Sequence, residues 1–305
     1  MITYVNGNLF ESPAKVLVNT VNTDGAMGKG LAKNFKTIYP EMFKEYQHFC
    51  EKKLFTIGKL WLYKTPNKWI LNFPTKTTWR QPSKIEYIEK GLEKFVDTYI
   101  EKEISSIAFP PLGCGNGGLD WDSQVRPIME KYLCKLPIDI FVYLKFNSNS
   151  TPEHFDIKKT VEWLRSEPDS LSFFDVWNDL NEVINNTHSL STFNNSNFFV
   201  NVQNDDGIKI TIDNNDVIVP IDKLTELWEQ IRTYGFSTKK IMPRGLEELS
   251  EYLIILLSQL PYCRLIKISD DYKLLKNRNN YGIQWLPPSL DNGLFNNKSQ
   301  SATFD

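Results

Sequence analysis

Two glycine-rich loops constrain this chain more than any other feature. They are Asn19-Thr20-Val21-Asn22-Thr23-Asp24-Gly25-Ala26-Met27-Gly28-Lys29-Gly30 and Pro110-Pro111-Leu112-Gly113-Cys114-Gly115-Asn116-Gly117-Gly118. Val16-Leu17-Val18 leads into the first and Ile104 to Phe109 into the second, and a helix-like segment follows each. Both loops should therefore emerge from carboxyl ends of strands, where open α/β sheets take their ligands. Glycine lets backbone N–H groups close around phosphate oxygens without an intervening side chain, and a helix N-terminus favours anions. A nucleotide diphosphate held between the loops is the expected ligand. Either loop taken singly reads equally well as a turn that closes a strand-helix unit.

The first loop does not fit the better-known phosphate pattern: Gly25 to Lys29 is too short for a P-loop, which also needs Ser or Thr after the lysine. With Val5-Asn6-Gly7-Asn8-Leu9-Phe10 as an opening strand and turn, the chain instead resembles the macrodomain family, modules that bind ADP-ribose. Within that family, Met27 to Lys36 and Asn72-Phe73-Pro74-Thr75-Lys76-Thr77-Thr78-Trp79-Arg80-Gln81-Pro82-Ser83 are similar to DarG-type antitoxins, which remove ADP-ribose from DNA. The resemblance covers roughly residues 1 to 145. It implies an α/β fold, a mixed sheet flanked by helices, for residues 1–150; the pattern of strands and helices beyond reads as a smaller α+β domain over 152–291, and the composition of 292–305 as a mobile tail.

The resemblance also implies a site. Asn8 and Leu9 would lie near the adenine and Asn22 would hold the distal ribose, within a loop that includes Gly25, Ala26, Met27, Gly28 and Gly30. Pro111, Leu112, Gly113, Cys114, Gly115, Asn116, Gly117 and Gly118 would form the diphosphate loop, and Lys76 is implied as the catalytic group. Cleavage at the anomeric carbon passes through an oxocarbenium-like transition state, so Lys76 could serve as nucleophile, as base, or as a charge that polarises the leaving group. Thr78, Trp79 and Arg80 are candidate DNA contacts, since an aromatic ring and a guanidinium can stack on an exposed base; a packing role for Trp79 fits equally. Related glycohydrolases acting on proteins resemble this chain but carry an aspartate where Gly117 stands, and Asp120 and Asp122 read as caps of the next helix rather than as replacements.

The length of 305 residues suits two domains. Met1-Ile2-Thr3-Tyr4 opens a strand rather than a secretory signal, and Leu253 to Leu257 is far short of a membrane span. Four cysteines and three histidines show no metal-ligand spacing, so no metal or cofactor is expected, and sparse cysteine fits a reducing cytoplasm. Cys114 reads as a small residue packed under its loop. Residues 1–151 carry 20 Lys and Arg against 15 Asp and Glu, and residues 152–305 carry 15 against 22. The basic half permits a nucleic-acid substrate and the acidic half permits a basic protein partner, although ordinary solvated surface accounts for both imbalances as well.

In the first half, strands are predicted at Ile2 to Val5, Val16 to Val18, Thr56 to Tyr63, Trp69 to Phe73, Ile104 to Phe109 and Ile138 to Leu144. Helices are predicted at Leu31 to Phe35, Pro40 to Cys50, Lys84 to Tyr99 with a Ser83-x-x-Glu86 capping box, and Ser123 to Leu133. Composition shifts at Asn147 to Pro152. Beyond it, helices are expected at Asp156 to Ser166, Leu171 to Asn185, Asp222 to Tyr234 and Gly245 to Leu260. Strands are expected at Phe198 to Val202, Ile208 to Ile212, Val217 to Val219 and Arg264 to Ile268, with a long loop from Asn185 to Asn197 and turns at Asn204 to Gly207 and Asp213 to Asn215.

Three functions follow as expectations. One is an antitoxin that hydrolyses ADP-ribose from DNA bases, thymidine by resemblance, with ADP-ribosylated single-stranded DNA as substrate and a DarT-like ADP-ribosyltransferase toxin bound by the second domain. Another is a glycohydrolase of ADP-ribosylated protein carboxylates or small ADP-ribose esters. The third is a non-catalytic ADP-ribose reader.

Overall fold

The computed structural model of the chain describes residues 2–144, 152–187, 189–203, 206–269 and 281–286. The expected tail from Asn292, most of the Asn147 to Pro152 composition break and the Asn204-Asp205 half of one turn lie outside the described residues. Two compact units divide between Thr160 and Val161, later than the composition break, so Glu153 and His154 belong with the first unit.

The first unit is built on a six-stranded sheet of β1 (Ile2–Val5), β2 (Val16–Val21), β3 (Trp61–Lys64), β4 (Trp69–Pro74), β5 (Ser106–Phe109) and β6 (Asp139–Tyr143), in the order β1-β6-β5-β2-β4-β3. Every pairing is parallel except β3 with β4, which gives the mixed sheet expected. The predicted strand at Thr56 to Tyr63 begins only at Trp61, because Gly58 turns the chain at φ 85°.

Helices cover both faces. On one side α1 (Gly30–Ile38) and α2 (Pro40–Glu51) bury Phe35, Met42, Phe43 and Tyr46 against Leu17 and Ile70; on the other α3 (Ile85–Thr98) and α4 (Arg126–Leu133) bury Ile88, Leu92, Phe95 and Met129 against Val16, Leu71 and Ile107. Strands sandwiched this way are apolar throughout, which explains the run Val16-Leu17-Val18. The capping box does not form. Helix α3 begins after Lys84 with no side-chain cap, and Ser83 is drawn instead toward the second glycine loop, its N–H donating to Gly117 O at 2.9 Å. Asp120 does cap, accepting from Ser123 N at 2.8 Å ahead of a π-type turn, Trp121–Val125, that leads into α4.

The division falls within helix α5 (Ile157–Arg165), and the second unit is α+β. Helices α6 (Phe173–Asn186), α7 (Ile221–Tyr234) and α8 (Ser250–Leu257) accompany β7 (Leu190–Ser191), β8 (Asn197–Val202), β9 (Gly207–Ile212) and β10 (Asn215–Pro220), an antiparallel sheet in the order β10-β9-β8-β7. Strands β11 (Phe236–Thr238), β12 (Cys263–Lys267) and β13 (Tyr281–Trp285) form a second antiparallel sheet. Asp213 and Asn214, both at positive φ, make the tight β9–β10 turn that the sequence signalled. The expected Asn185 to Asn197 loop is interrupted by β7, a two-residue strand paired with β8. No helix among the described residues is long and apolar enough to cross a membrane.

Gly91 tests the fit of α3 on the sheet. A Cβ there would stand 2.1 Å from the ring of Phe73, which is fully buried on β4. Gly91→Ala is therefore expected to lower the stability of the first unit by ~1–3 kcal/mol through overpacking, although mid-helix Gly→Ala ordinarily adds about 1 kcal/mol. Urea unfolding monitored on residues 1–160 measures the sign, and a more stable variant would show that the helix can move away from Phe73.

Candidate functional site

Strands β5, β2 and β4 are neighbours with a common direction, so the three loops at their carboxyl ends meet on one rim of the sheet. Backbone hydrogen bonds join those loops to one another. Thr75 N–H donates to Val21 O at 2.9 Å and Thr23 N–H to Thr77 O at 3.1 Å, which ties the chain around Lys76 to the first glycine loop; the Ser83–Gly117 bond ties it to the second.

The first loop is organised by the amide of Asn22. Its Oδ1 accepts from Gly25 N at 3.1 Å, Ala26 N at 3.2 Å and the Tyr46 hydroxyl at 2.7 Å, and its Nδ2 donates to Ala26 O at 2.7 Å. Gly25 sits at φ 90° and Gly30, the first residue of α1, at φ 58°, the left-handed region that glycine enters without steric cost. Burial pushes the Tyr46 hydroxyl well above the ordinary tyrosine range, which favours the protonated, donating form. Asn22 lines the cleft as expected, but most of its amide is spent on the loop itself.

The second loop needs glycine for two different reasons. A Cβ on Gly117 would stand 2.2 Å from Gly113 O and 2.3 Å from Ser83 Oγ, so no side chain fits there, and an aspartate at this position is sterically excluded. At Gly115 a Cβ would meet nothing within 4 Å, because that backbone faces open space in the cleft. Gly113 and Gly118 lie at φ 71° and 76°.

Between the loops lies a cleft of about 660 Å³. Of the residues expected from the sequence, Asn8, Leu9, Asn22, Ala26, Gly28, Gly30, Lys76, Pro111, Gly113, Gly115 and Asn116 line it. Gly25, Gly117 and Gly118 shape its loops without lining it. Met27, Leu112 and Cys114 turn inward: Met27 joins the core beneath α1 and α2, and Leu112 and Cys114 join the core beneath α3 and α4. Burial pushes the Cys114 thiol up to about 12, as suits an inert packing residue. Asn8 caps the 3-10 turn Leu9–Glu11, accepting from Phe10 N at 3.1 Å, and so fixes Leu9 at the cleft wall.

Trp79 takes the packing role of the two that the sequence left open. It is 1% exposed, its backbone N–H donates to Asp24 Oδ2 at 3.3 Å, and the Arg80 guanidinium lies 4.1 Å from its ring centroid. A ring packed in this way cannot stack on a nucleobase. Neither Thr78 nor Arg80 lines the cleft, though both are partly exposed.

Lys76 is 6% exposed and lines the cleft. Its ammonium donates to Asn116 O at 2.6 Å and lies 3.5 Å from Glu153 Oε2, and Glu153 is itself buried and lines the same cleft. Burial lowers the Lys76 pKa below the ordinary lysine range, with Glu153 acting in the opposite sense. Burial likewise raises the Glu153 carboxyl above the ordinary range, against the pull of Lys76. Sequence reasoning missed Glu153, which lies beyond the composition break in a 3-10 turn, Glu153–Phe155, with no motif around it. It also missed Tyr143, another lining residue, although Tyr143 ends a fourth parallel strand on the same rim and that position was a usable signal. Lys29 and Lys33 add positive charge to the wall, beside an α1 N-terminus without a side-chain cap. Among the described residues no cluster of His, Cys, Asp or Glu suited to a metal ion occurs.

Comparison with known proteins gives the following. A family profile described as Macro domain matches residues 18–128. A DNA ADP-ribosyl glycohydrolase of Thermus aquaticus is 43% identical over 147 residues, which cover 47% of this chain and 41% of that protein. A DNA ADP-ribosyl transferase-DNA ADP-ribosyl glycohydrolase fusion protein of Thermosipho africanus is 40% identical over 162 residues, covering 47% of this chain and 42% of that protein. The solved macrodomain of Thermus aquaticus DarG matches with 43% identity and a TM-score of 0.45, covering 48% of this chain and 99% of that structure. The match thus spans less than half the length of either of these two relatives.

The two glycines make separable predictions. Gly117→Ala should destabilise the first unit and weaken ADP-ribose binding at least tenfold, whereas Gly115→Ala should fold and bind normally. Gly115→Glu should fold yet lose ADP-ribose binding, because it places bulk and negative charge where a pyrophosphate approaches the backbone. Calorimetric titration of ADP-ribose together with thermal melting separates the three, and normal binding by a folded Gly115→Glu protein would remove the diphosphate from this loop.

Proposed function

Residues 18–128 are a Macro domain, and from that premise we propose that the first unit releases ADP-ribose from ADP-ribosylated DNA bases, with Lys76 as the catalytic group. The observation that carries the reading is the placement of a buried lysine on the wall of a cleft whose other walls are two glycine loops. The loops suit the pyrophosphate and distal ribose, and Lys76 then faces the anomeric end, where positive charge develops and a nitrogen leaves. The names of the similar proteins favour a DNA linkage over a protein carboxylate ester. Steric exclusion of an acid at Gly117 points the same way, since the diphosphate loop then has no room for the carboxylate associated with protein-directed relatives.

The second unit is proposed to bind a basic, DarT-like ADP-ribosyltransferase. Its acidic balance supports an electrostatic partner, and the occurrence of both activities in one chain in Thermosipho africanus supports a transferase as that partner. Inhibition by contact would complement reversal of the modification.

Lys76→Ala should keep ADP-ribose affinity within a few-fold and lose at least a hundredfold in release of ADP-ribose from a modified single-stranded oligonucleotide, since its interaction belongs to the transition state more than to the ground state. Parallel assays on an ADP-ribosylated oligonucleotide and an ADP-ribosylated protein decide the substrate, and binding without turnover on either would leave a reader. For the partner, the full chain should retain a co-expressed DarT-like protein at low salt and residues 1–160 should not. Equal retention by both would assign the interaction to the first unit.

A further inference from the structure

The pair formed by Lys76 and Glu153 asks for an explanation beyond packing. Two opposite charges withdrawn from water lose more solvation than their attraction commonly returns, and an apolar pair of similar size is often as stable. Here the pair stands in the wall of the cleft. Glu153 comes from outside all three rim loops, carried by a single 3-10 turn beyond β6, and among the described residues its carboxylate meets the Lys76 ammonium. Of the three N–H donors of that ammonium, Asn116 O takes one and Glu153 a second, which leaves one for a bound molecule.

From this juxtaposition we infer that Glu153 is a second catalytic residue: the general base that accepts a proton from the attacking water while Lys76 donates one to the departing nucleobase. The inference rests on the reading of the first unit as a glycohydrolase. As the water oxygen bonds to the anomeric carbon, one of its protons passes to the Glu153 carboxylate. The electron pair of the breaking carbon–nitrogen bond stays on the nucleobase nitrogen, which takes a proton from the Lys76 ammonium. The carboxylic acid and the amine then face each other across the 3.5 Å contact, and one proton transfer restores both. Modified base and water become free base and ADP-ribose, with no oxidant, reductant or further co-reactant. Desolvation supports both roles, since a carboxylate held away from water is a stronger base and an ammonium held away from water is a stronger acid. The other charged or titratable groups bearing on the pair are Lys29 and Asp24 of the first glycine loop and His154 beside Glu153.

The test uses the full chain and an ADP-ribosylated single-stranded oligonucleotide, with Glu153→Gln and Glu153→Ala and with ADP-ribose calorimetry to verify a folded cleft. The expected result is a fall in kcat of at least a hundredfold for Glu153→Gln with KM within about threefold. The rising limb of the wild-type pH profile, placed above the usual carboxylate range, should be missing from the residual activity. Formate should restore at least tenfold to Glu153→Ala, which a merely structural role would not produce. Turnover by Glu153→Gln within threefold of wild type overturns the assignment. So does faster turnover, which would make Glu153 an obstruction of the cleft, or a formate-insensitive Glu153→Ala protein that still binds ADP-ribose. A wild-type chain that binds ADP-ribose but releases none from DNA overturns the function reading and this assignment together; an active wild type with an indifferent Glu153→Gln overturns only this one.

Discussion

The amide of Asn22 is the point on which the site depends. A loop with glycines at positive φ at positions 25 and 30 has little of its own to hold it, and every ordered residue costs about 1–2 kcal/mol of backbone entropy. Asn22 gathers the N–H groups of Gly25 and Ala26 and the Tyr46 hydroxyl on one oxygen and returns a donor to Ala26 O, all among buried groups. Low local polarity makes each of these bonds stronger and their loss more costly. The loop is thereby fixed to α2 through Tyr46, and α1 starts from its far end at Gly30, where a Cβ would press on Asn116 of the second loop at 2.9 Å. One side chain thus sets the conformation from which the opposing wall takes its distance.

Sheet order does the remaining positioning. Because β2 lies between β4 and β5, with all three parallel, the residues that follow them arrive side by side without long connections. The Thr75–Val21 and Thr23–Thr77 bonds extend the β2–β4 ladder past the formal end of the strands. Lys76 therefore follows directly on the paired backbone, and its ammonium is held by Asn116 O and Glu153. Rigid placement suits an ionisable group whose proton affinity is set by what surrounds it.

The legible and illegible parts of this chain divide along physical lines. The glycine loops and their strands were readable because backbone geometry and apolar runs are local properties, and Asp213-Asn214 was readable as a tight turn for the same reason. Lys76 was readable only through its surrounding motif, since an isolated lysine carries no sign of burial. Trp79 was left between two readings for that same reason: nothing in Thr-Thr-Trp-Arg distinguishes a ring aimed at solvent from one buried beneath Arg80. Ser83 was read as a helix cap because Glu86 stands at the right spacing, but a tertiary bond from Ser83 N–H to Gly117 O claimed it for the site. Glu153 lay across an apparent boundary, and only the folded chain brings it to within 3.5 Å of a residue 77 positions earlier.

The excluded side chain at Gly117 and the bare backbone at Gly115 have a kinetic corollary. Loops that hold their shape through internal bonds are organised before any molecule arrives, so they recognise the diphosphate and ribose equally whether or not a nucleobase is still attached. On the proposed chemistry, the released ADP-ribose would then compete with the next modified strand for the same cleft. Turnover would slow as product accumulates, and discrimination in favour of DNA would have to come from contacts with the polynucleotide outside the cleft, where Thr78 and Arg80 remain partly exposed.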